Sequence, residues 1–145
     1  MSERENRLIE PKVYRKTLVG LQLKSLSIIK GKFSSNRENF IPNSEVDIRD
    51  TAQFKIESKN TIKIVHNYKL KIENSKNTKN ILQIDLSFNL VFSSKETFTK
   101  EFFDIYKENS LPINSWPYFR EFVGNIIQRM NFPPLTLPLF KSKIL

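Results

Sequence analysis

Cysteine is absent from the 145 residues, and histidine and tryptophan occur once each. Without cysteine there is no disulfide framework, no thiolate nucleophile and no cysteine-based zinc site, and nothing calls for an oxidising compartment. Only three glycines occur, and none belongs to a phosphate-binding loop. Apolar runs are a few residues long, far below the roughly 20 needed to span a bilayer. Met1 to Lys12 is charged and has no apolar core, so it does not read as a signal peptide. A single soluble, cytoplasmic domain over residues 1–145 without membrane insertion is therefore expected, with residues 1–16 as a flexible or peripheral segment.

Acidic residues are also in the minority, 15 against 24 lysines and arginines, for a net charge of +9. Such a balance favours polyanionic partners. The lysines, however, alternate with apolar residues instead of forming a block, which fits one water-facing side of a sheet. The abundance of Lys, Asn and Ile also fits a biased base composition.

Period-two alternation is the clearest positive signal. Leu82, Ile84, Leu86, Phe88, Leu90 and Phe92 share one parity, with Gln83, Asp85, Ser87 and Asn89 on the other. Ile62, Ile64, Tyr68, Leu70 and Ile72 repeat the pattern, as do Val46, Ile48, Ala52, Phe54 and Ile56 with Asp50 as an interruption. An earlier strand holds Val19, Leu21 and Leu23 in one parity and Leu26 and Ile28 in the other, a slip that a β-bulge near Lys24 and Ser25 would absorb. Ser34 to Ser44 is too long for a tight hairpin and reads as a crossover loop with Phe40 and Ile41 as an apolar tip.

Two helices are expected after the sheet. The first runs from about Thr97 to Glu108 on Phe98, Phe102, Phe103, Ile105 and Tyr106. The second is capped by Asn114 or Ser115, has Pro117 in its first turn, and carries Phe119, Phe122, Val123, Ile126, Ile127 and Met130 at three-and-four spacing. Asn131 and the paired prolines stop it. Four strands of about 13 residues make an apolar face of roughly 800 Å². Two such helices shadow only about 430 Å² of it, so oligomerisation, a binding groove, or both are expected.

Pro117, Tyr118, Arg120 and Glu121, followed by Phe132, Pro133, Pro134, Leu135 and Leu137, resemble the C-terminal half of the SecB export chaperones. The resemblance implies an α+β fold, a four-stranded antiparallel sheet followed by two C-terminal helices, assembling as a dimer of dimers. It further implies an ATP-independent holdase for protein export, with no cofactor, whose partners are unfolded or partly folded polypeptides and other copies of the chain in a tetramer. By position, Phe40, Ile41, Val46, Ile48, Leu135, Leu137 and Phe140 become the client-groove candidates. Phe119, Phe122, Val123, Ile126, Ile127 and Met130 become the oligomer-interface candidates. Typical members dock the ATPase SecA through acidic sheet residues and a longer C-terminus. Lys63, Lys69 and Lys71 stand on that face here and the chain ends at Leu145, which weakens SecA as an expected partner. SecB-like proteins also serve toxin–antitoxin systems, with an antitoxin as client.

Two other classes read less well. His66 shares the parity of Ile64 and Tyr68 and so reads as a satisfied core residue, while Glu96, Glu101, Asp104 and Glu108 are interspersed with lysines as on a solvated helix face; no catalytic residue is expected. A single-stranded nucleic-acid binder would interleave aromatic and basic residues on one exposed face, whereas most aromatic residues here share the apolar parity.

Overall fold

The computed structural model describes residues 9–135. Alternation decides the sheet: in β3 (Thr61–Glu73) and β4 (Asn80–Ser94) the even-numbered residues Ile62, Ile64, Leu70, Leu82, Ile84, Leu86, Phe88 and Leu90 are all buried. These are the middle strands of one antiparallel sheet ordered β1-β4-β3-β2, with β1 (Leu21–Ser35) and β2 (Val46–Ser58) at the edges. Register shifts in β1 fall between Leu23 and Ser25, where parity places a bulge, and between Ile28 and Lys30, where no bulge was foreseen. Each shift restores the facing of the side chains. Leu21, Leu23, Leu26, Ile28 and Phe33 thus all pair with inward-facing residues of β4.

Because β1 and β2 occupy opposite edges, residues 36–45 must cross the end of the sheet. Asparagines hold this crossover down: Asn36 and Asn39 each donate through Nδ2 to the Asn80 carbonyl (3.3 and 3.0 Å). Asn74 donates to the Asn39 carbonyl (2.6 Å). The same Asn74 accepts through Oδ1 from the backbone N–H groups of Lys76 and Asn77, which closes the β3–β4 turn. Turn and crossover are therefore locked through one side chain.

Among the described residues three α-helices join the sheet: α1 (Pro11–Gly20), α2 (Lys100–Asn109) and α3 (Leu111–Arg129). Thr99 caps α2 by accepting from the Phe102 N–H (3.1 Å). α2 places Phe103 on Phe54 of β2 and Tyr106 on Phe92 of β4, and α3 places Phe119 on Tyr68 of β3. α3 begins a turn earlier than the sequence suggests, with Ser110 at the cap position in place of Asn114 or Ser115. Pro112, which could not sit inside a continued α2, takes its first turn. Pro117 consequently lies within α3, where it removes one N–H; the carbonyl it would have served belongs to Ile113, an exposed residue that water can reach. α1 was not foreseen, and Val19, expected on a strand, lies in it. Residues 11–16 of the segment expected to be peripheral are thus helical, with Tyr14 against Phe102 at 4.9 Å.

Candidate functional site

The end of α3 builds one wall of a groove. Asn131 adopts a left-handed φ of 59°, its N–H reaches the Gln128 carbonyl (3.1 Å), and the Phe132 N–H reaches the Ile127 carbonyl (3.2 Å). This is the two-bond termination in which the residue beyond the cap packs on the last turn, and it brings Phe132 beside Ile127. Pro133 and Pro134 forbid any return to helix and lead the chain along the sheet end to Leu135.

The crossover supplies the facing wall. Pro42 fixes the chain after Phe40 and Ile41, Asn43 turns it at φ 65°, and Ser44 donates to the Ile41 carbonyl (3.2 Å). Phe40 and Phe132 then approach across the mouth with ring centroids 5.9 Å apart. Between the walls lies a cavity of about 410 Å³ floored by Val46, Ile72, Ile81 and Leu82. Among the described residues no charged side chain lines it, and Asn43 and Ser44 are its only polar ones. Its volume falls in the range typical of ligand sites, about 300–1,000 Å³.

Of the groove candidates taken from the sequence, Phe40, Ile41, Val46 and Leu135 come together here. Ile48 does not line the cavity; it stands two residues along β2, opposite Leu70. Leu137 and Phe140 lie outside the described residues. Phe132, Ile127, Ile72 and Ile81 were missed as lining, although the Asn-Pro-Pro signal at the end of α3 already brings Phe132 back onto its own helix. Of the interface candidates, Phe119, Val123 and Ile127 are buried against the sheet of their own chain and are spent on its core. Phe122, Ile126 and Met130 remain half-buried, and Phe122 meets Phe33 of β1 at 6.2 Å.

A second cluster lies inside the sheet–helix interface. His66 Nε2 contacts Asp50 Oδ2, His66 Nδ1 contacts Ser115 Oγ, and Ser115 Oγ contacts the Tyr68 hydroxyl, each at 2.7 Å. One proton order satisfies the whole series: Tyr68 donates to Ser115, Ser115 to His66 Nδ1, and His66 Nε2–H to Asp50. Burial pushes the Tyr68 hydroxyl pKa up. Ser, His and Asp in a row have the composition of a nucleophilic triad. Ser115 and His66 are nonetheless 0% exposed, so a substrate has no route to the hydroxyl. The series clamps α3 to β2 and β3, and it explains why Asp50 interrupts an apolar face.

The outer face of the sheet carries both signs of charge, with cations outnumbering carboxylates. Lys69 and Lys71 share a broad concavity with Asp47, Arg49 and Glu73, and Lys71 bridges Glu73 at 2.7 Å while Arg49 bridges Asp47 at 3.1 Å. Among the described residues no helix is long and apolar enough to cross a membrane.

No family model matches the chain, and no curated protein matches it in sequence. Solved structures match it in fold. A SecB-like chaperone of Mycobacterium tuberculosis, in complex with a ChAD peptide from an antitoxin, superposes with a TM-score of 0.77 over 92% of this chain and 99% of that one at 18% identity. The fold is SecB-like. A Streptococcus agalactiae protein of unknown function aligns over 82% of this chain and 97% of that one, with a TM-score of 0.42 and 11% identity. In the SecB-like frame, the sheet followed by two C-terminal helices has the order that the sequence resemblance implies, and α1 is an element in front of it.

Proposed function

We propose that this chain is a chaperone that holds apolar segments of non-native polypeptides, without nucleotide, in the groove between the crossover loop and the end of α3. The observation that carries the proposal is the apolar cavity of about 410 Å³ on a SecB-like fold, with Phe40 and Phe132 facing each other at its mouth. A cavity of that size takes a few side chains at a time, so useful affinity needs several linked grooves engaging one long client. A tetramer supplies them. β1 favours such assembly, since it is a 15-residue edge strand whose Leu23, Ile28 and Phe33 are inadequately covered within one chain. Leu137 and Phe140 extend the groove in this reading, Ile48 adds to its rim, and Phe122, Ile126 and Met130 join the subunit contact. The chaperone is placed in the cytoplasm, holding clients for export. The lysine-rich outer face speaks against SecA docking through acidic sheet residues.

A second reading has one dedicated client, an antitoxin. The mycobacterial structure of similar fold, a chaperone bound to an antitoxin peptide, favours it. One experiment tests both readings. The purified protein is mixed with reduced, unfolded polypeptides and with antitoxin-derived peptides, and complexes are measured by light scattering coupled to size exclusion. Stable complexes with several unrelated unfolded chains support general holding. Complexes with the antitoxin peptides alone support the dedicated role. Failure with both, or wild-type affinity in Phe40→Asp and Phe132→Asp variants that remain folded, overturns the groove.

A further inference from the structure

Away from the groove, α1 has one face fixed to the body and one face presented. Tyr14 packs on Phe102 and Thr17 is buried, its hydroxyl donating to the Val13 carbonyl at 3.0 Å. Lys12, Arg15, Lys16 and Val19 stand at three-and-four spacing along the opposite stripe. Gly20 lets the chain pass close to Lys95: the Gly20 carbonyl accepts from the Lys95 N–H at 3.1 Å, and a Cβ on Gly20 would sit 3.1 Å from the Lys95 Cβ. The result is a shallow concavity of about 420 Å³ lined by these residues with Lys95 and Glu96.

Its charge is one-sided. Four cations meet one carboxylate, and Glu96 is taken by Lys16 at 3.6 Å. Among the described residues Lys12, Arg15 and Lys95 form no ion pair, unlike Arg49 and Lys71 on the outer face of the sheet. Val19 beside them is 82% exposed. Such a stripe on a ten-residue helix is more than the helix needs for its own stability, because cations with no acidic neighbour repel one another.

We infer that the α1 face is a second interaction surface, which takes an acidic peptide segment bearing an apolar side chain from a protein partner. The cations match carboxylates, and Val19 offers the apolar side chain a contact. The stripe from Lys12 to Val19 is about 10 Å long, the reach of about three residues of extended chain. A single-stranded nucleic acid would find no aromatic ring to stack on there. This surface is independent of the apolar groove and does not rest on the chaperone reading.

The test uses the full chain, a short labelled peptide alternating Glu and Leu, and its Lys–Leu counterpart. Binding is followed by fluorescence anisotropy at low and moderate salt, and amide shifts are mapped by NMR. The Glu–Leu peptide should bind in a salt-sensitive way, shift Arg15, Lys16 and Gly20, and lose about tenfold in affinity in Lys12→Glu/Arg15→Glu. Val19→Ser should cost a smaller factor, and the Lys–Leu peptide should not shift α1. Both substitutions are exposed, and circular dichroism checks that the fold is retained. Unchanged affinity in the charge variant, or shifts confined to the groove or to β1, would overturn the inference. So would retention of phosphatidylserine vesicles or of single-stranded DNA, lost in the same variant, without peptide binding at α1.

Discussion

β1 and β4 are each 15 residues long and hydrogen-bond to one another, yet they live in opposite surroundings. Every inward side chain of β4 from Leu82 to Ser94 is buried, while their partners Leu23, Ile28 and Phe33 on β1 are roughly a third to a half exposed. The cause is the helix layer. α2 and α3 are centred over β3 and β4, so that the edge strand lies under the flank of α3, where Phe33 meets Phe122. Two bulges nevertheless keep the apolar side of β1 turned inward. A strand that holds its facing through two irregularities, and is half-covered by the described residues, is a candidate for a contact with a second chain.

The largest break in this comparison is made at the centre. Phe88 is 1% exposed, opposite Ile28 on one side and His66 on the other. Phe88→Ala should lose about 3–5 kcal/mol, because the apolar transfer term and the cavity term add. That is a large share of a typical stability of about 5–15 kcal/mol. Urea unfolding by circular dichroism measures it. A loss below 1 kcal/mol would mean that the centre is as loosely covered as the edge.

Next in size is the polar clamp. Ser115→Ala leaves His66 Nδ1 and the Tyr68 hydroxyl without their shared partner in a sealed space, which should cost about 1–3 kcal/mol. His66→Ala should cost at least as much, since a cavity is added to the broken bonds. The two losses should be strongly non-additive in a double-mutant cycle, because both residues belong to one hydrogen-bonded unit. Additive losses would show that the 2.7 Å contacts are separate pairs.

The helix side of the core also sets a limit in alkali. Burial pushes the Tyr106 pKa from 10.0 up to about 12, against a smaller lowering by the Asn114 hydrogen bond, and burial raises Tyr68 in the same direction. Between the ordinary and the raised value the unfolded chain has lost the proton that the native chain keeps. The unfolded state binds fewer protons there, so stability must fall as pH rises. It is intact below pH 10 and declines from 10 towards 12, by up to about 1.4 kcal/mol per pH unit for each such tyrosine. Chemical denaturation across that window should show a shallower decline in Tyr106→Phe. An identical slope would remove Tyr106 as a cause.

What the sequence made legible follows the same division. β3 and β4 are plain in it because burial on one face imposes alternation, and the first bulge of β1 shows as a slip of parity at Lys24 and Ser25. α1 is not plain, since only Tyr14 and Thr17 are anchored and the rest of the helix reads as charged tail. The crossover locks through Asn36, Asn39 and Asn74, which resemble any other asparagines in an asparagine-rich chain. His66 and Asp50 were each visible as polar residues on apolar parity. Ser115, 49 residues beyond His66, joins them only once α3 is folded down. The groove shows halfway: Phe40, Ile41, Val46 and Leu135 were legible as apolar residues at loop, strand start and tail, whereas Ile72, Ile81 and Ile127 look like any core positions until the sheet end meets the end of α3.

The smallest effect on folding should come from the edge, and it sharpens the comparison most. Ile28 and Phe33 are 47% and 46% exposed in one chain, so Ile28→Lys and Phe33→Lys lose little burial. Each should change single-chain stability by about 0.5–1 kcal/mol at most. In an assembly that covers β1, the same lysines would have to lose water on a face lined by Leu23 and Leu26, and the subunits should come apart. Sedimentation of wild type and variants at matched concentration separates these cases. A wild-type oligomer reduced to monomers by either lysine, with thermal unfolding nearly unchanged, places the missing cover of β1 on a second chain. An unchanged mass would mean that assembly, where it occurs, uses another face. The exposed side of β1 would then remain open to an extended client strand, whose main chain can hydrogen-bond along the edge without regard to sequence.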